Sequence, residues 1–113
     1  MKILIVDDNR NARILIRSLL TPHGHEILEA NNGTDAVRIY ASELPDCVLM
    51  DFEMEGMDGI STTEVIRESY PRARIFIVTM FDDADIRVAA LKAGAEKFIL
   101  KEDLLSLPVL VGI

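Results

Sequence analysis

Ile3-Leu4-Ile5-Val6-Asp7-Asp8 runs through four apolar, mostly β-branched residues and stops on two carboxylates. The device recurs along the chain. Cys47-Val48-Leu49-Met50 runs into Asp51, Arg74-Ile75-Phe76-Ile77-Val78 into Thr79, and Phe98-Ile99-Leu100 into Lys101. Short apolar runs separated by helix-length segments read as buried strands of a parallel sheet. The carboxyl ends of such strands share one edge, where ligands bind. The pattern therefore gathers Asp7, Asp8, Asp51, Thr79 and Lys101 in one place.

Working outward, the segments between the runs are about 10–12 residues long and amphipathic, the βα rhythm of a parallel sheet. Arg10 to Leu20 carries Ile14, Leu15, Ile16, Leu19 and Leu20 on one broad stripe, with Arg13 and Arg17 outside it. Pro22 and Gly24 end that helix. His25 to Ala30 is a more polar strand, expected near a sheet edge. Thr34 is expected to cap a helix that turns Ala36, Val37, Ile39 and Tyr40 inward. Asp46 to Met50 is the third strand, and a helix from about Gly59 to Ser69 follows the loop Phe52 to Asp58. Arg74 to Val78 is the fourth strand. Asp82 or Asp83 caps a helix through Ala93, Gly94 closes it, and Glu96 to Leu100 is the fifth strand. A last helix, capped by Ser106 with Pro108 in its first turn, has at most two turns. That is little cover for one face of the first and fifth strands, so the expectation is either a shortened chain or a neighbouring chain or domain that supplies the rest.

Residues 1–113 are expected to form one domain around a single core, and half of them are hydrophobic. The net charge is −7, from 19 acidic residues against 12 basic ones. So acidic a domain is a poor direct binder of nucleic acid, which demands clustered Lys and Arg. Cys47 is the single cysteine and sits in an apolar run, so it reads as a buried hydrophobe in a reducing compartment. Asp7 and Asp8 interrupt the first apolar stretch, so no signal peptide is read there, and nothing reaches the roughly 20 apolar residues of a membrane span. A cytoplasmic protein is expected.

An isolated Asp after a strand usually caps the next helix. Asp7, Asp8 and Asp51 together are different, because three like charges repel unless a cation joins them. An all-oxygen site open to water suits Mg²⁺, whereas zinc calls for Cys or His ligands that are missing from these positions. Lys101 makes sense beside such a cluster if a further anion arrives, and phosphate fits. Thr79 offers a hydroxyl to a phosphoryl oxygen. A carboxylate can itself attack phosphorus, and Asp51, from the middle of the sheet, is the best nucleophile.

On Asp7-Asp8, Asp51, the loop Met54-Glu55-Gly56-Met57-Asp58-Gly59, Thr79, Lys101 and Ala90-Leu91-Lys92-Ala93-Gly94-Ala95, the chain resembles the receiver domains of two-component response regulators over essentially its whole length. The resemblance implies an α/β, doubly wound, flavodoxin-like fold: a five-stranded parallel sheet in the order 2-1-3-4-5 with helices on both faces. It implies that Asp51 accepts a phosphoryl group from a histidine kinase or phosphotransfer protein. It also implies Mg²⁺ held by Asp7, Asp8, Asp51 and the backbone carbonyl of Glu53, Asp7 acting largely through water. Thr79 becomes the switch hydroxyl and Phe98 the switch aromatic. Phosphorylation then reshapes the face of the fourth helix, fifth strand and fifth helix toward an output domain or partner protein. A homodimer is a further option, and neither a membrane nor direct nucleic-acid contact is implied. Val78-Thr79-Met80-Phe81-Asp82-Asp83 is worded most like receivers joined to helix-turn-helix output domains.

Several positions depart from the family. Glu55 stands where many receivers have Pro, and with Glu53 it adds negative charge beside the site. Glu102 follows Lys101 where many have a cis Pro, so a trans bond is expected. Met80 is bulky and is expected to restrict access to the phosphoryl group. His23 and His25 read as surface histidines, and Met54 and Met57 as pins of the loop. Two rivals remain: a Mg²⁺-dependent phosphohydrolase, disfavoured because there is no room for a cap, and a receiver-like module that takes no phosphate. On the leading reading the chain is no enzyme beyond its own phosphorylation and dephosphorylation.

Overall fold

A computed structural model describes residues 1–112. Five strands alternate with five helices: β1 Lys2–Val6, α1 Arg10–Leu20, β2 Glu26–Ala30, α2 Gly33–Glu43, β3 Cys47–Asp51, α3 Gly59–Ser69, β4 Ile75–Thr79, α4 Ala84–Lys92, β5 Lys97–Leu100 and α5 Leu107–Leu110. All strand pairs are parallel, in the order β2-β1-β3-β4-β5. The expected sheet and its order are present, and the polar β2 forms one edge.

Alternation along the strands divides the core in two. Leu4, Val6, Val48, Met50, Ile75 and Ile77 meet Ala36 and Tyr40 of α2, Ile66 of α3 and Ala90 of α4 on one face. Ile3, Ile5, Cys47, Leu49, Phe76 and Val78 meet Ile16 and Leu20 of α1 on the other. Cys47 is buried there, and burial pushes its thiol up to about 11, so it is an inert hydrophobe.

The α1 stripe is narrower than its composition suggested. Ile16 and Leu20 are buried, but Ile14 and Leu15 are 51% and 48% exposed. At 3.6 residues per turn, Ile14 falls on the far side of the helix from Ile16. The cap of α2 also differs: Asn32, not Thr34, accepts the Asp35 N–H at 2.7 Å. The helix can start this early because residue 33 is Gly, where a Cβ would overlap Thr62 Oγ1 of α3. Asp83 caps α4, accepting from the Asp85 and Ile86 N–H groups.

The last segment departs most. Ser106 makes no capping bond, and a 3₁₀ run, Lys101–Ser106, precedes the single turn of α5. Leu104, Leu107 and Val111 are nonetheless buried with Ile3, Ile5 and Phe76, so this short piece does cover the face it was expected to leave thin.

Candidate functional site

Register gathers the chemistry. Val6 pairs with Met50, so Asp7 comes to lie beside Asp51, the last residue of β3. Asp51 pairs with Val78, one residue short of Thr79, and Thr79 pairs with Leu100, one residue short of Lys101. The three carboxylates each offer an oxygen within 4.8 Å of the others'. Lys101 Nζ lies 3.2 Å from Asp7 Oδ2 and 3.3 Å from Asp51 Oδ1. Asp7, Asp51 and Thr79 are buried and Asp8 is exposed. The expected residues thus share one cavity of about 150 Å³, lined by Asp7, Asp8, Asn9, Asp51, Glu53, Thr79, Met80, Phe81 and Lys101. Phe98 lies outside it, half-buried against the α2–α4 core.

Each group is held by identifiable partners. Asp7 Oδ1 accepts the Asn9 N–H at 2.9 Å, and Asp7 N–H donates to the Ala30 carbonyl. Asp51 is 6% exposed, yet it borders the cavity and is therefore reachable. A Cβ on Gly59 would overlap the Asp51 carbonyl oxygen, so glycine is what lets α3 begin against the end of β3. Asp58 caps α3 by accepting the Ser61 N–H, and Met54 is anchored in the core, pinning the loop between. Thr79 Oγ1 accepts the Phe81 N–H at 3.2 Å. Met80, 74% exposed, stands at the rim. Among the described residues there is no cis peptide bond, so Lys101 and Glu102 are joined in trans.

Three carboxylates outnumber the one ammonium at this site. Burial, reinforced by the neighbouring Asp7 charge, pushes Asp51 up to about 6 in spite of Lys101. Burial pulls Lys101 down, but the pull of Asp51 and Asp7 outweighs it and its pKa is raised. One ammonium is thus shared between two buried carboxylates, while Asp8 has no hydrogen-bond or ion-pair partner among the described residues. A hard divalent ion with oxygen ligands fits such a donor set. Among the described residues no His or Cys lines this cavity; His23 and His25 stack on each other ahead of β2, at the opposite end of the strands.

Sequence reasoning missed three contacts. Asn9 ties down Asp7, Arg13 Nη1 donates to the Asp7 carbonyl at 2.7 Å, and the Arg87 guanidinium covers Phe98. Only the first had a signal, since Asn directly before an amphipathic run is a common cap; Asn9 caps α1 through Ala12 N–H.

A family model described as the response regulator receiver domain matches residues 3–107. The chemotaxis protein CheY of Bacillus subtilis is 39% identical over 101 residues, covering 88% of this chain and 84% of CheY. The regulatory protein AtoC of Escherichia coli is 36% identical over 100 residues, and there the match spans 88% of this chain but 22% of AtoC. The crystal structure of the response regulator domain of Thermotoga maritima CheB superposes with a TM-score of 0.91 at 25% identity, covering 99% of this chain and 93% of that one.

Proposed function

The chain belongs to the response regulator receiver domain family, and from that premise we propose that Asp51 accepts a phosphoryl group from a histidine kinase or phosphotransfer protein, with Mg²⁺ held beside it by Asp7, Asp8, Asp51 and the Glu53 carbonyl. The supporting observation is the convergence of three carboxylates and one ammonium on a cavity that Asp51 borders.

The chemistry follows from the groups present. An Asp51 carboxylate oxygen attacks the phosphorus of a phosphohistidine. An O–P bond forms, the N–P bond breaks, and its electron pair returns to the imidazole. A Mg²⁺ held by Asp7, Asp8, Asp51 and the Glu53 carbonyl would supply positive charge to the phosphoryl oxygens. Lys101, 3.3 Å from Asp51, turns its ammonium to a phosphoryl oxygen and stabilises the same charge. Thr79 currently accepts from Phe81 N–H, and it swings to donate its own O–H to the phosphoryl group. That movement draws in the β4–α4 loop and opens space for the Phe98 ring. The α4–β5–α5 face, where Val88, Leu91 and Val109 are exposed, then changes its affinity for an output domain, partner protein or second copy of the chain. The phosphoryl group selects between two packings and creates neither.

Turnover is confined to the protein's own phosphorylation and dephosphorylation, in the cytoplasm. No helix among the described residues is long and apolar enough to cross a membrane. Acetyl phosphate with Mg²⁺, followed by intact mass, tests the proposal. One phosphoryl adduct that Asp51→Asn abolishes is expected. Turnover of a broad panel of phosphates, or no adduct at all, would replace it with a hydrolase or an inert module.

A further inference from the structure

Asp7 is held at every polar atom but one by the elements already described: its N–H by Ala30, Oδ1 by Asn9 and Oδ2 by Lys101. The exception is its carbonyl, which no backbone N–H reaches among the described residues. Arg13 takes that place. Its Nη1 donates to Asp7 O at 2.7 Å, and its Nε donates to Glu29 Oε1 at 3.1 Å. Glu29 Oε2 in turn accepts from Arg17 Nη1 at 2.7 Å. The Arg13 side chain is only 15% exposed, against 50% for Arg17 on the same helix. It is packed between α1 and β2, not displayed to solvent.

The Asp7 carbonyl belongs to the peptide plane that joins Asp7 to Asp8. Asp8 has no side-chain partner of its own among the described residues, so the backbone is what sets the Cα–Cβ direction from which its carboxylate rotates into the site. Fixing the carbonyl fixes the plane from which Asp8 departs. We infer that Arg13 is a positioning residue for the cation site, aiming Asp8 through the Asp7 carbonyl, with Glu29 holding the guanidinium in place and cancelling its charge. This rests on the proposed Mg²⁺ site and extends it to two residues that touch neither cation nor phosphate.

The sign of the effect separates this role from a plain electrostatic one. A positive charge this near a cation site opposes the cation, so its removal would tighten Mg²⁺ binding if charge were all that mattered. Loss of positioning weakens binding instead, and residues that orient ligands from behind typically account for about 10–100-fold in affinity. Arg13→Lys sharpens the distinction, because Lys keeps the charge but cannot reach both acceptors as the planar fork does.

The test is Mg²⁺ titration by calorimetry on the whole chain without any phosphodonor, beside melting temperatures in EDTA. Arg13→Ala is expected to weaken Mg²⁺ binding about tenfold, and Arg13→Lys to weaken it less but measurably. Affinity equal to or tighter than wild type in Arg13→Lys overturns the inference, even if the melting temperature falls, because Arg13 would then be a structural brace only. Should Arg13→Ala fail to fold, Arg13→Lys decides alone by that criterion. A wild-type chain that binds no Mg²⁺ removes the proposed cation site itself, whereas normal wild-type binding with unaffected variants removes only the role of Arg13.

Discussion

The guanidinium carbon of Arg87 lies 4.7 Å from the centroid of the Phe98 ring. The same side chain reaches Asp82 Oδ1 at 3.6 Å, in the loop that follows Thr79. Arg87 therefore links the loop carrying the proposed switch hydroxyl to the proposed switch aromatic. A cation over an aromatic face at a partly exposed site is worth about 0.5–1 kcal/mol, enough to bias a ring between two packings by about two- to fivefold. Arg87→Ala should release Phe98 toward its phosphorylated position without any phosphate. Fluorine NMR of a 4-fluorophenylalanine placed at position 98, with and without beryllofluoride, checks this. The unliganded variant should shift part of the way toward the beryllofluoride spectrum, and an unchanged spectrum would show that Arg87 merely rests on the ring.

Asp51 should be a stability liability in the cation-free protein. Its pKa rises from 3.8 to about 6 because burial and the Asp7 charge disfavour the carboxylate. A raised carboxyl pKa means the folded state holds the proton more tightly than the unfolded one, so stability falls as pH climbs between those values. The penalty is absent below about 3.8 and complete above about 6, where it is of order 3 kcal/mol. Asp51→Asn should thus unfold at higher urea than wild type at about pH 8 in EDTA, and the gap should close toward about pH 4. An equal gap at both pH values would mean that the gain comes from packing, not from the buried charge.

The sheet and the site were legible for one reason: four of the five strands announce themselves by a short apolar run, and the residue that ends the run lands at the shared edge. Asp51 and Thr79 complete their strands, while Asp7 and Lys101 sit one residue beyond theirs. The helices yielded less. Hydrophobic spacing identified α1 but overstated its buried stripe, since adjacent Ile14, Leu15 and Ile16 cannot all face the sheet. Arg13 was placed only outside the apolar stripe, because spacing ignores the lean of side chains toward a helix's N-terminus, which carries its guanidinium back to Asp7. Leu104, Leu107 and Val111 do carry a helical stripe, but it starts in the 3₁₀ run ahead of Ser106, where no capping residue marks its beginning.

Gly59 offers a test of how tightly the start of α3 is fitted to the phosphoacceptor. A Cβ there would overlap Asp51 O and crowd the Phe52 backbone, and neither can rotate away as a flexible side chain would. Relief requires the first turn of α3 to retreat from β3, dragging the Asp51 main chain or breaking the Gly59 N–H bond to Phe52 O. Gly59→Ala should therefore cost about 1–3 kcal/mol by overpacking and also slow phosphoryl uptake, because the nucleophile moves. Gly56→Ala is the matched comparison. Its φ of +82° makes a side chain unfavourable, yet no atom lies within 4 Å of the new Cβ. That strain is worth about 1–2 kcal/mol and sits in the loop, away from Asp51. Urea unfolding should rank both variants below wild type, whereas initial rates of acetyl phosphate labelling by intact mass should fall markedly only for Gly59→Ala. Equal rates in the two would show that Asp51 keeps its place without close packing from α3.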